Sequence, residues 1–223
     1  MPSPQPRIAH RRLAALGLAG ATIIAVTSTL AAIAYEGAQG QRYSLLNHWI
    51  SELGEVAQSE AAVLFNLGLI VAGPMLALFM VGLGRVIGGG WGGAIAVSGA
   101  IAGIGGALVG LFPMDDLRTH ALAALTFFFA APVAIGLFTA WLVRVRPEDV
   151  PRALAWPGIL TVAAFAGFLT LLLTGDTQSL ASPDDRAAVW PLVILEWLTL
   201  IGVLSWFVAV SAVLWQGRAP DGT

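Results

Sequence analysis

Six long apolar runs, separated by short polar stretches, set the pattern of this chain. Each run has at least the roughly 20 residues that a helix needs to cross the hydrocarbon core of a bilayer. The predicted spans are residues 13–34, 61–83, 91–112, 120–143, 153–174 and 190–215. The pattern therefore predicts an all-α, polytopic membrane protein with six transmembrane helices in one bundle.

The two ends of the chain follow a different pattern. Residues 1–12 are rich in proline and arginine, and we expect a disordered tail there, with a second short tail at 216–223. The first apolar run is longer than the 7–15-residue core of a secretion signal, so it is interpreted as a retained helix. Residues 13–215 are then one transmembrane domain.

The stretch 43–54 alternates apolar and polar residues at helical spacing. Wound as a helix, it would place its apolar side chains in one stripe and its polar side chains opposite. The apolar set is Leu45, Leu46, Trp49, Ile50 and Leu53, and the polar set is Ser44, Asn47, His48, Ser51, Glu52 and Glu55. The stretch is too short to cross a bilayer, so it predicts a short amphipathic helix at the membrane surface or at the top of the bundle.

Small residues recur along the third span in two neighbouring rows. One row is Ala94, Ser98, Ala102, Gly106 and Gly110, and the other is Gly99, Gly103 and Ala107. Small side chains let helix backbones approach closely in a membrane. We therefore expect this helix at the centre of the bundle, and leucine at Gly103 or Gly106 to push it away from its neighbours.

The composition agrees with a membrane protein: 57% of the residues are hydrophobic and 11% are charged, against about a quarter charged in soluble domains. The chain has no cysteine, which excludes disulfides, thiolate metal ligands and thiol catalysis. The net charge of -2 gives no indication of nucleic-acid binding.

Charge distribution predicts the topology. Six spans place both termini on one side, and eight of the eleven basic residues share that side. These eight are Arg7, Arg11, Arg12, Arg85, Arg144, Arg146, Arg152 and Arg218, while Arg42, Arg118 and Arg186 lie opposite. The positive-inside rule then predicts a cell-membrane protein with both termini in the cytoplasm.

Several short motifs carry a resemblance to a known family. They are Asn47, the run 50–54 (Ile-Ser-Glu-Leu-Gly), the run 65–68 (Phe-Asn-Leu-Gly), and the run 110–113 (Gly-Leu-Phe-Pro) with Asp115 and His120. Together they resemble a bacterial six-helix membrane family catalogued as domain-of-unknown-function family 998. In overall plan that family is similar to the DRAM, Frag and Sfk membrane proteins, which are associated with autophagy, lipid-anchor remodelling and plasma-membrane lipid organisation. The resemblance implies the architecture and the importance of these positions, but no reaction.

The candidate site gathers the ionisable and polar residues of the outer side. Glu196 lies six residues inside Trp190, roughly 9 Å along the helix, and an ionisable group at that depth is a functional candidate. We expect one outer-leaflet pocket beneath the amphipathic segment, formed by Asn47, His48, Ser51, Glu52, Asp115, His120 and Glu196.

Three hypotheses follow for this pocket. The first is an outer-leaflet lipid-binding or membrane-organising protein, with a membrane lipid as partner and no cofactor. The second is an intramembrane metal-assisted lipid hydrolase, with His48, Asp115 and His120 as metal ligands and Glu52 or Glu196 as general base. The third is a small proton-coupled transporter that uses Glu196, and a bis-histidine haem protein is a remote fourth. The sequence does not predict the oligomeric state.

Overall fold

The computed structural model describes residues 4–37, 40–175 and 187–217. Its six long helices are α1 (Pro4–Ala34), α2 (Ala62–Ile87), α3 (Gly89–Leu111), α4 (Leu117–Val145), α5 (Ala155–Thr174) and α6 (Pro191–Trp215). All six contain a stretch long and apolar enough to cross a membrane. The predicted all-α, six-span architecture is therefore confirmed.

Three helices, α1, α3 and α4, begin earlier than their apolar runs. α1 begins at Pro4, inside the segment for which the sequence predicts a disordered tail; proline is tolerated there because the first turn of a helix has no hydrogen-bond partner for its N–H groups. α4 begins at Leu117 because Asp116 caps it: the backbone N–H of Thr119 donates to Asp116 Oδ1 at 3.4 Å, and the Thr119 hydroxyl donates to Oδ2 at 2.5 Å. Caps of this kind satisfy the free N–H groups of the first turn.

The helices form a ring in chain order, each packing against the next, and α1 closes the ring against α6. Neighbouring helices pack antiparallel, as the contacts of Gly20 with Leu76 and of Gly84 with Gly92 show. The α1–α2 and α3–α4 connections therefore lie at one end, here called the capped end. Large aromatic side chains fill the other half of the interior. Trp206 on α6 is fully buried, and its ring centroid lies 5.2 Å from that of Phe138 on α4.

The prediction that the third span lies at the centre of the bundle is wrong. α3 takes a place in the ring between α2 and α4, and side chains such as Val97 and Ile104 are exposed. Its small residues nevertheless mediate close packing. A Cβ atom on Gly103 would lie 2.7 Å from the backbone N of Ala77 and 2.7 Å from the backbone O of Gly73, both on α2.

The continuous amphipathic helix predicted over residues 43–54 is also corrected. Residues 45–47 form a turn, and Ile50–Gly54 form a single short 3₁₀ helix. Leu45 is exposed, whereas His48 and Glu52 are buried. The polar side chains bond to nearby backbone groups, which competes with a regular helix and changes which face is inside.

Candidate functional site

The connection between α1 and α2 folds across the capped end, and we call residues 43–61 the cap segment. Its 3₁₀ helix contacts α1, α2 and α6. Glu196 Oε2 on α6 accepts a hydrogen bond from the backbone N–H of Ile50 at 2.8 Å. The backbone N–H of Trp190 donates to the carbonyl of Leu46, also at 2.8 Å. Both contacts attach the cap segment to the start of α6.

Tyr43 is the organising side chain within the cap segment. Its hydroxyl oxygen lies 2.9 Å from the carbonyl oxygen of Trp49 and 3.1 Å from that of His48. It also accepts a hydrogen bond from Trp197 Nε1 at 3.1 Å. Burial, followed by the nearby Glu196 carboxyl group, raises the pKa of Tyr43 well above its ordinary value. The hydroxyl therefore stays protonated and keeps its hydrogen to donate.

Two carboxylates and one amide hold the backbone of the cap segment. Glu52 Oε1 accepts from the backbone N–H of Trp49 at 3.0 Å. Asp115 accepts from two successive backbone N–H groups, those of residues 56 and 57, at 2.9 and 3.1 Å. Asn66 Nδ2 on α2 donates to the carbonyl of Gly54 at 2.8 Å. These three side chains stabilise the conformation of the cap segment.

A cavity of about 130 Å³ lies beneath the cap segment, between the helices. Its polar lining at the capped end includes Ser51, His120 and Glu196, and most of the remaining lining is apolar or small. The lining on α6 extends from Glu196 to Phe207, which is roughly 16 Å along the helix. That distance is about half of the 30 Å hydrocarbon core, so the cavity has the depth of one leaflet.

The two ionisable groups at the cavity are almost fully buried, and each is 6% exposed. His120 Nδ1 lies 2.9 Å from the carbonyl oxygen of Phe112. Because a carbonyl can only accept, Nδ1 carries a proton. Within the described part of the chain, neither His120 Nε2 nor Glu196 Oε1 has a hydrogen-bond partner. Each side chain thus has one polar atom hydrogen-bonded to the protein backbone and one polar atom that can bond to a ligand.

The structure brings together only part of the predicted pocket. Ser51, His120 and Glu196 line the cavity. The other four candidates, Asn47, His48, Glu52 and Asp115, are absent from its lining among the described residues and belong to the cap segment or its support.

The metal candidates do not assemble into a site. His48 Nδ1 lies 2.8 Å from Asn47 Oδ1, within the cap segment. Across residues 4–37, 40–175 and 187–217, no group of three or more His, Cys, Asp or Glu side chains is placed to hold a metal ion. The geometry therefore does not support the combination of His48, Asp115 and His120 as a metal centre.

Sequence reasoning did not single out Tyr43, Asn66 and Trp197 as site residues. In the sequence, Asn66 is recognisable as a polar residue at the start of an apolar span. Tyr43 and Trp197, in contrast, resemble the aromatic residues that commonly lie at a membrane interface. The cavity wall on α3 was also missed, because Gly99, Ala102 and Gly106 suggest helix packing and carry no sign of an empty space.

Comparison with known proteins gives one match. The family model described as "Protein of unknown function (DUF998)" matches residues 23–215, a range that includes the cap segment and all the cavity-lining residues. No curated protein and no solved structure matches the chain. The distant similarity to the DRAM, Frag and Sfk proteins stays a prediction.

Proposed function

The chain belongs to the family described as "Protein of unknown function (DUF998)", and we propose that this member binds an amphiphilic lipid in the cavity of its helix ring. The observation that carries the proposal is the polarity of the cavity wall. Ser51, His120 and Glu196 lie at the capped end, while deeper residues such as Met80 and Phe207 are apolar. An amphiphile matches this arrangement, with its polar end under the cap segment and its chain between the helices.

The size of the cavity supports a chain of modest width. An engineered apolar cavity of about 150 Å³ binds benzene, and the present cavity is similar in volume. Small side chains on α3, among them Ala102 and Gly106, leave this space open. A segment of alkyl chain fits a space of that size. It would make van der Waals contacts with the wall atoms that otherwise face empty space.

The charge pattern supports an outer-leaflet location. Arginines lie at the start of α1 and at the ends of α2 and α4, opposite the capped end. By the positive-inside rule, that end faces the cytoplasm. The capped end and the polar part of the cavity then lie in the outer leaflet of the cell membrane.

The other two hypotheses receive less support. A metal-assisted hydrolase needs ligands that converge, and the described residues hold no such group. A proton-coupled transporter needs titratable groups along a path, whereas the ionisable side chains of the described cavity lining, His120 and Glu196, both lie at the capped end. Lipid binding is therefore the function that we propose.

The experiment compares two leucine substitutions on α3. A Cβ atom on Gly106 would meet only Phe127 Cδ2, at 3.9 Å, so Gly106→Leu should fill the cavity without a backbone clash. Gly93→Leu is the matched control, because nothing lies within 4 Å of that position. Each protein is purified, and the lipids that co-purify are identified and quantified by mass spectrometry.

We expect one lipid species at near-stoichiometric amount in the parent protein and in Gly93→Leu, and its loss from Gly106→Leu. The melting temperature of Gly106→Leu without lipid should not fall, since leucine is a better helix former than glycine. An equal amount of the same lipid in all three proteins would contradict binding in the cavity.

A further inference from the structure

We infer that the polar end of the bound amphiphile donates hydrogen bonds, and that a primary ammonium group fits the capped end of the cavity best. This inference rests on the proposed function and assigns the chemical class of its ligand. It follows from the free atoms at the polar end of the cavity, from the charges around them, and from the absence of a compensating cation among the described lining residues.

His120 contributes an acceptor in its neutral form. Its Nδ1–H donates to the carbonyl of Phe112 at 2.9 Å, which fixes the tautomer, so the lone pair of the neutral ring is on Nε2. Nε2 has no partner among the described residues, and His120 lines the cavity while only 6% exposed. A ligand donor is the partner that this nitrogen lacks.

Glu196 and Ser51 contribute two further acceptors. Glu196 Oε2 is occupied by the N–H of Ile50, while Oε1 has no partner among the described residues. The hydroxyl of Ser51 donates its hydrogen to Met114 Sδ at 2.9 Å, so the lone pairs on its oxygen remain for a ligand. A carboxyl oxygen, an imidazole nitrogen and a hydroxyl oxygen therefore all offer lone pairs at the capped end.

The surrounding charges favour a cationic ligand over an anionic one. Among the described residues that line the cavity, none is Arg or Lys. Glu52 is a second buried carboxyl group that acts electrostatically on Glu196. A phosphate or carboxylate head would bring another negative charge into this region, which is unfavourable in a buried site. An ammonium group would instead stabilise the charged form of Glu196 and form charge-assisted hydrogen bonds with it.

The ligand class is tested with three octyl probes that share one chain. The full-length protein is placed in nanodiscs of phosphatidylcholine, whose head group has no N–H donor. Octylamine, octanol or octanoic acid is then titrated at pH 7, and the shift in melting temperature is followed by tryptophan fluorescence. Gly106→Leu in identical nanodiscs corrects each titration for partition of the probe into lipid.

We expect octylamine to bind more tightly than octanol by about tenfold or more, as a charge-assisted hydrogen bond allows, and octanoic acid to give no corrected shift. If octanoic acid binds as tightly as octylamine, the inference is wrong while lipid binding survives. If no probe distinguishes the parent protein from Gly106→Leu, the proposed function itself fails.

Glu196→Gln provides a second test with the same probes. The amide oxygen of glutamine can still accept from the N–H of Ile50, so the attachment of the cap segment is preserved. We expect the preference for octylamine over octanol to fall to about twofold or less as the charge-assisted bond is lost. An unchanged preference in this variant would overturn the role of Glu196. If the variant does not fold, the ranking of the three probes on the parent protein still decides the ligand class.

Discussion

At the scale of single residues, sequence reasoning located Glu196 but could not locate its partner. An ionisable residue inside an apolar run is conspicuous because its burial needs a compensating contact. That contact is the backbone N–H of Ile50, 146 residues away in the chain. It exists only because the ring closes and brings α6 under the cap segment. The same holds for Trp197 and Tyr43, whose hydrogen bond spans 154 residues.

We expect Tyr43→Phe to destabilise the cap segment. The substitution removes the hydroxyl that contacts two backbone carbonyls and accepts from Trp197 Nε1. Leaving these groups without a partner should cost about 1–3 kcal/mol. Thermal unfolding of the parent protein, Tyr43→Phe, Trp197→Phe and the double variant measures this cost and the coupling between the two residues.

The effect of Tyr43→Phe should not change with pH below about 10, the ordinary pKa of tyrosine. Burial raises the pKa of Tyr43 in the folded protein, so the folded state holds the phenol proton more strongly than the unfolded state does. The resulting stabilisation is fully present below the unfolded pKa and is lost as the pH rises above it. A cost that declines between pH 6 and pH 9, or the absence of coupling to Trp197→Phe, would contradict this role.

At the scale of elements, the sequence predicts which helix carries faces of small residues, but it does not predict which neighbouring helix packs against each face. Residues four apart on a helix turn by about 40° relative to each other, so a row at that spacing winds around the helix. Gly110 therefore faces the backbone of Asn66 on α2, while Gly106, in the same row, faces the cavity. A packing surface and a cavity wall have the same composition here, and only the positions of α2 and α4 distinguish them.

We expect Gly103→Leu and Gly106→Leu to have opposite effects, which corrects the expectation that both push α3 away. A Cβ atom on Gly103 would lie within 2.7 Å of α2 backbone atoms, so a side chain there forces the two helices apart. Overpacking of this kind costs about 1–3 kcal/mol or more. Gly106→Leu should leave stability unchanged or increase it, because its side chain enters the cavity.

Thermal unfolding in one detergent measures both variants, with Leu108→Ile as a control for a change of shape at constant volume. That control should cost less than about 1.5 kcal/mol. If Gly103→Leu melts with the parent protein, the close contact between α2 and α3 has no energetic weight. If Gly106→Leu is as unstable as Gly103→Leu, the space beside Gly106 is not a cavity.

At the scale of the whole molecule, apolar run length was sufficient to predict six helices, since a span must satisfy its own backbone hydrogen bonds in lipid. Ring order and closure were not predictable, because apolar helices of similar composition have no preferred neighbour in sequence. The cap segment shows the same limit: its amphipathic pattern predicted a regular helix, whereas contacts with α1, α2 and α6 select a turn followed by a 3₁₀ helix. Contacts with distant parts of the chain determine the conformation that such a short segment adopts.

The orientation of the ring is a further prediction, and the absence of native cysteine makes it directly measurable. Single cysteines are introduced at Glu60, in the cap segment, and at Glu148, in the α4–α5 connection; both positions are exposed. The positive-inside rule predicts that a membrane-impermeant thiol reagent labels the cysteine at 60 in intact cells and labels the cysteine at 148 only after lysis. Labelling of both cysteines in lysed cells is the control that the reagent can reach each position. The opposite pattern would turn the capped end to the cytoplasm. The polar end of the cavity would then draw its ligand from the inner leaflet, and the outer-leaflet location would be wrong even if the lipid and its ammonium head were identified as proposed.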